Sequence, residues 1–197
     1  MKNEIWRPLA EMKKEGLWYA IVTRDRQGKV VSRERRKSHS FLKQWNQLVY
    51  VQVTFGVLII TDTGGLGRSV DRDFNLFKMA AAAGVTTYGI RVGTGNTPVD
   101  ISNFALETPI THGAGAGQMD HLICTVPRSV VAAPSCSFVV SRSIVNNSPG
   151  IITVREAAIY VMGDVFFLCV TRDVFGVPQA VPIGGAITID WTIGVTV

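Results

Sequence analysis

The chain has 197 residues, enough for one domain with a sizeable core. Only 18% of its residues are charged and 47% are hydrophobic, against about 25% charged in an average globular domain. Its mean hydropathy is +0.23, a balance that suits a subunit burying surface against neighbours better than a solitary monomer. The most apolar window, Val49–Ile60, is twelve residues long and contains Gln52 and Thr54, well short of the roughly 20 residues of a membrane helix. Residues 1–16 lack the uninterrupted apolar stretch of a secretory signal. A protein made in a cytoplasm, without membrane contact, is expected.

The formal net charge of +5 is unevenly spread. Residues 1–43 hold twelve Lys or Arg against five acids, whereas residues 44–197 hold eight against ten. A basic N-terminal segment, 1–36, thus precedes a nearly neutral body, 37–197, and the densest run is Ser32–His39. Arg33, Arg35, Arg36 and Lys37 are candidates for a phosphate contact. Glu34 among them equally fits a solvated strand of mixed charge. No aromatic residue interleaves with these cations, so no base-stacking platform is expected.

In chain order, "IWRPLAEMKKE" predicts a short helix interrupted at Pro8. "LWYAIVTRD", "RQGK" and "VVSRE" then predict a β-hairpin turning at Gln27-Gly28. Phe41, Leu42, Trp45, Leu48 and Val49 follow at helical spacing, which predicts one short amphipathic helix near residues 40–53 with Ser40 as N-cap. "TDTGGLGRSVDRD" reads as loop. "FNLFKMAAAAG" predicts a helix stopped at Gly84. "TTYGIRVGTGNTPVD" predicts a strand entering a tight turn, and "THGAGAGQ" a hairpin tip or hinge. From His121 onward "HLICTV", "SCSFVVSRSIV", "IITVREAAIYV", "VFFLCVTRD" and "AITIDWTIGVTV" read as strands. Turns are expected between them at "AAPS", "NNSPG", "MGD" and "FGVPQAVPIGG". In the last strand Ile187, Ile189, Trp191, Ile193, Val195 and Val197 alternate with mostly polar residues, so one face is buried. The fold class is mainly β: a β-sandwich, of which the jelly roll is one variety, with one short helix.

Chemistry-bearing patterns are sparse. Cys124, Cys136 and Cys169 are odd in number and widely spaced, which argues against a disulfide framework and for reduced thiols. His112, His121, Cys124 and Cys136 sketch a zinc site, but the paired spacing of such sites is missing. The Gly-rich stretches carry neither a Walker Lys-Ser/Thr nor a dinucleotide fingerprint, and no cofactor is expected. Asp62-Thr63-Gly64 has the form of an aspartic-protease motif, yet Gly65 and Gly67 beside it suit a turn in which Asp62 accepts backbone N–H bonds. Ser38, His39 and Asp62 lack a G-x-S-x-G elbow. Glu156 reads as half of a structural ion pair, and Arg172-Asp173 as a strand-end pair feeding a turn.

Three runs, Tyr88–Ile110, Ile152–Val161 and Leu168–Val195, share an order of motifs: a strand ending in Gly-x-Gly and a Thr/Pro turn, a Glu-bearing strand, then Arg-Asp leading through "VPIGG" into a final strand. With the helix-like run Lys37–Trp45, this order resembles small β-rich virion structural proteins of tailed bacteriophages over about two thirds of the chain. One departure is Glu156-Ala157-Ala158-Ile159, where such proteins carry a Gly-containing turn. The resemblance implies a non-enzymatic head decoration or cement protein, or a neck, tail or fibre-base subunit. It would be made in the host cytoplasm, reside in the virion, associate with itself and dock on other virion proteins. Trp6, Trp18, Arg35, Arg36 and Lys37 are the candidate contact residues, since aromatic and Arg side chains dominate interface energetics. Two alternatives stay open: a nucleic-acid-binding module using Arg33, Arg35, Arg36 and Lys37, and a dimeric aspartic protease using Asp62.

Overall fold

The computed structural model describes residues 16–38, 40–54, 56–71, 77–163 and 165–196. Strands hold 54% of them and a single helix 7%, so the chain is mainly β. The strands are β1 (Gly16–Arg24), β2 (Val30–Ser38), β3 (Leu58–Thr61), β4 (Gly67–Val70), β5 (Gly89–Gly93), β6 (Asp120–Thr125), β7 (Val130–Ala132), β8 (Ser135–Val145), β9 (Ile152–Met162), β10 (Phe167–Val181) and β11 (Ala186–Thr196). The helix is α1 (Lys43–Thr54). A large antiparallel sheet runs β2-β1-β11-β8-β6, with β7 continuing the edge beside β8. A three-stranded sheet runs β10-β9-β5, and β3 pairs with β4 alone.

The two larger sheets form a β-sandwich because their alternating residues supply one apolar face each. Directly opposed residues of antiparallel strands point the same way. The rows Tyr19–Trp191–Val140 and Ile21–Ile189–Arg142 therefore share the inner face of the large sheet. Tyr19 meets Trp191 edge-on and reaches Phe175 of β10 at 5.8 Å, so aromatic contact joins the sheets. The predicted hairpin is present, and β1 lies inside the large sheet with Leu17, Tyr19 and Ile21 in the core. Residues 16–36 of the basic segment are thus part of the large sheet.

β9 is buried on both faces, which explains its nearly unbroken apolar run. Ala157, Ile159 and Val161 face the sandwich interior. On the opposite face Ala158 and Tyr160 join Leu42, Leu106 and Cys169 in a second, smaller cluster. The loop after β5 lies over that cluster, where the Leu106 N–H donates to Tyr160 Oη at 2.7 Å.

One edge of the sandwich is closed by Arg142, which is fully buried on β8. Its guanidinium donates to the carbonyls of Leu122, Ile90, Ala82 and Val85 at 2.7–3.3 Å. These acceptors come from β6, β5 and the segment before β5, so one side chain links both sheets. The opposite edge is closed by Asp173, which accepts hydrogen bonds from the hydroxyls of Ser38 and Ser40.

Four expectations are corrected. The helix expected over residues 74–84 is absent in its described part: Met162 N–H donates to the Lys78 carbonyl and Cys124 N–H to that of Ala81. Pairing with two strand edges outweighs the helix propensity of the Ala run; residues 74–76 lie outside the described residues. Gly84 still makes a positive-φ turn, at +78°. Ser40 is no N-cap, because its hydroxyl is held by Asp173 and α1 begins three residues later. The buried face of α1 is Gln44, Leu48 and Val51, while Val49 is 42% exposed. Residues 40–42 pair with β10 before the helix starts, and that pairing sets its rotation. Arg172-Asp173 lies mid-strand, and of the turn expected over 175–185 β10 continues through 175–181, with a bulge in its pairing to β9, leaving a turn at 182–185.

His121 sits on β6 with no exposure and with Nε2 unpartnered among the described residues. Burial, then the charge of Arg142, push its pKa down to about 3. An ordinary His titrates near 6.5, so as pH falls below about 6.5 the unfolded chain takes a proton that the folded chain refuses. This group lowers the unfolding free energy by up to about 1.4 kcal/mol per pH unit down to about pH 3. Urea melts between about pH 6 and 4.5 are expected to show that slope, and His121→Phe to remove its part of it.

Candidate functional site

The most heavily built polar site lies on the outer face of the three-stranded sheet. Glu156 on β9 and Arg172 on β10 are both buried, and Arg172 Nε donates to Glu156 Oε2 at 2.8 Å. The other carboxylate lone pairs accept the N–H groups of Gly95, Glu107 and Thr108 at 2.9–3.2 Å. Arg172 Nη1 donates to Asn103 Oδ1 and Nη2 to the Thr97 carbonyl. Glu107 stands 3.7 Å from Nη2 and takes the N–H and hydroxyl of Thr97, which hold its carboxyl below the usual range.

Local sequence explains the approach. A Cβ on Gly93 would lie 2.4 Å from Glu156 Oε1, and one on Gly95 would lie 2.5 Å from Glu107 Cβ. The Gly-Thr-Gly at the end of β5 is therefore what lets the backbone reach the carboxylate. The ion pair, the Gly-x-Gly turn and the Arg-Asp dipeptide, remote in sequence, meet here. Both carboxylate oxygens and all three guanidinium nitrogens are engaged, so the pair anchors the loop beneath a shallow pocket of about 330 Å³.

Asp62 is likewise engaged. It opens the β3–β4 turn, where Oδ1 accepts the N–H groups of Gly64 and Leu66 and Oδ2 pairs with Arg68 at 2.6 Å. Burial opposes ionisation, but the Arg68 bond and those two N–H groups outweigh it and hold the pKa below the ordinary carboxylate value. This geometry is the turn reading of Asp62-Thr63-Gly64. Among the described residues no group of three or more His, Cys, Asp or Glu is placed to hold a metal ion. All three cysteines are free, Cys124 and Cys169 buried and Cys136 half-buried.

The candidate contact residues separate. Trp6 lies outside the described residues. Lys37, Arg35 and Arg33 oppose Trp18, Ala20 and Val22 of β1, so they share the outer face of the large sheet. The Arg35 guanidinium lies 5.8 Å from the Trp18 ring centroid. Further along that face Ser141 donates to Asp190, and Ser143 bonds Thr188. Arg36 points the other way, pairs with Glu34 and lies over Gly176 of β10, where a side chain would collide with it. The four cations thus form a row of three plus one structural residue, as the strand's alternation of faces requires.

Sequence reasoning did not single out the exposed apolar surface. Val49, Tyr50 and Val53 on α1, and Val57, Ile59 and Leu66 at the β3–β4 hairpin, are all 42–70% exposed. Their signal was present in the apolar window 49–60, which a helix and a short strand share. Among the described residues no helix is long and apolar enough to cross a membrane.

Compared with protein-family models, curated proteins and solved structures, the chain shows no significant match.

Removing one member of a buried ion pair strands the other charge, at about 3–5 kcal/mol. Glu156→Gln and Arg172→Met are each expected to fall in that range by urea unfolding. The double variant Glu156→Gln/Arg172→Met is expected to cost much less than the sum, the coupling read from the double-mutant cycle.

Proposed function

We propose that this chain is a non-enzymatic virion structural protein of a tailed bacteriophage, assembling with itself and with capsid, neck or tail proteins. The observation that carries the reading is the exposed apolar surface of α1 and the β3–β4 hairpin, where Val53 and Ile59 are 70% and 67% exposed. Apolar surface of this kind gains free energy by burial against a neighbour, and identical subunits do so through closed symmetry. The engaged state of Asp62, Glu156 and Asp173 supports a structural role. A rigid two-sheet body, of jelly-roll type in this reading, would present the α1 end to the next subunit.

A second reading is favoured by one observation: Arg33, Arg35 and Lys37 form a row on one sheet face beside Trp18. Such a row would follow a phosphate backbone, with affinity falling steeply as salt rises.

Light scattering on nuclease-treated protein, at low and high salt, tests the first reading. A discrete oligomer that survives high salt is expected, with Val53→Asp/Ile59→Asp lowering its mass to the monomer. A monomer at every concentration would overturn self-assembly. For the second reading, Arg33→Glu/Arg35→Glu/Lys37→Glu is expected to abolish single-stranded DNA binding in fluorescence anisotropy while leaving oligomer mass unchanged. Arg36→Glu should instead act on stability, through its contacts with Glu34 and Gly176.

A further inference from the structure

β2 is an outermost strand of the large sheet, and among the described residues no strand pairs with its far side. Such an edge offers a row of main-chain N–H and C=O groups to a passing strand, and proteins blunt it by shortness, proline, bulges or charge. β2 is nine residues long and has no proline. Its pairing with β1 runs unbroken from Ser32 to Ser38, the one register shift lying at the turn end. Charge alone is left to guard it. The side chains facing the small sheet hold the strand in place: Gln179 of β10 donates to Glu34 at 3.2 Å, Glu34 pairs with Arg36, and Arg36 lies over Gly176 of β10. An edge ordered in this way loses little freedom when a strand is added.

We propose that the β2 edge takes up, as an added strand, an extended acidic segment of another protein, with carboxylates at alternate positions opposite Arg33, Arg35 and Lys37. Those three cations are exposed and alternate along one face, about 7 Å apart. Main-chain bonds along the edge supply the affinity and the cations supply the selection, since opposite charges across a ladder attract and like charges repel. The occupant is not a second copy. Of the chain's 15 acids only Asp71 and Asp73 stand two apart, so no segment of this sequence carries three at alternate positions. A nucleic acid fits less well: phosphates would engage the cations but leave the main-chain groups, and Arg35 lies over the Trp18 ring where a base would stack. On the reading of a subunit that docks on other virion proteins, on which this rests, β2 is the docking edge.

A fluorescein-labelled peptide of β2's length, alternating Thr and Glu, is expected to bind the full chain in fluorescence anisotropy and to slow hydrogen exchange within residues 30–38. Two derivatives separate strand pairing from charge, one N-methylated on its Glu residues and the other on its Thr residues. In an added strand only one of these sets of N–H groups faces β2, so one derivative should lose about tenfold in affinity or more while the other binds as before. The variant Arg33→Glu/Arg35→Glu/Lys37→Glu is expected to reject the Thr-Glu peptide and accept one alternating Thr and Lys. No binding of the Thr-Glu peptide, or an equal effect of the two methylations, would overturn the inference; oligothymidylate binding in either case would give the row to nucleic acid instead. A chain that stays monomeric in light scattering yet binds the peptide would sink self-assembly and leave the edge site standing.

Discussion

A carboxylate and a guanidinium buried together on the outer face of a three-stranded sheet constrain much of this molecule. Neither Glu156 nor Arg172 reaches water, and a desolvated pair is tolerated only when its remaining lone pairs and protons are satisfied. The loop after β5 supplies those partners through Gly95, Thr97, Asn103, Glu107 and Thr108. Holding the loop there places Leu106 over Ala158 and Tyr160 and buries the second face of β9. A sheet of three strands thereby acquires apolar packing on both sides.

The same device recurs at the two seams of the sandwich. Arg142 closes one with four main-chain carbonyls, and Asp173 closes the other with two serine hydroxyls. Each of these groups is mid-strand and faces a place where sheet hydrogen bonding gives out. A single polar side chain there does what an extra strand would do, and its burial makes the arrangement specific. The sandwich that results keeps these polar groups inside, while the cations of β2 and the apolar residues of α1 and the β3–β4 hairpin stay exposed.

Exposed apolar residues gather on α1 and the β3–β4 hairpin, and exposed cations on β2. The cationic row of β2 lies on an edge strand, where charged side chains discourage unplanned strand addition.

The strands were legible because a half-buried strand writes its two faces in alternation, as Ile187, Ile189 and Trp191 do against Thr188 and Asp190. The hairpin at Gly28, the turn at Gly184 and the turn role of Asp62 were legible for the same local reason: each depends on residues within a few positions. The buried ion pair was half-legible, since Glu156 read as half of a structural ion pair while Arg172, sixteen residues on, was assigned to Asp173 instead. That α1 buries Gln44 and Val51 but leaves Val49 exposed, why the Ala run before Gly84 is extended, and which acceptors hold Arg142 could not be read. Those were decided by contacts between segments remote in the chain, where pairing with a strand edge or satisfying a buried charge outweighs any local preference. The sequence by itself determined the strand grammar and its turns; the tertiary structure decided where the charges are buried and which apolar surface is left uncovered.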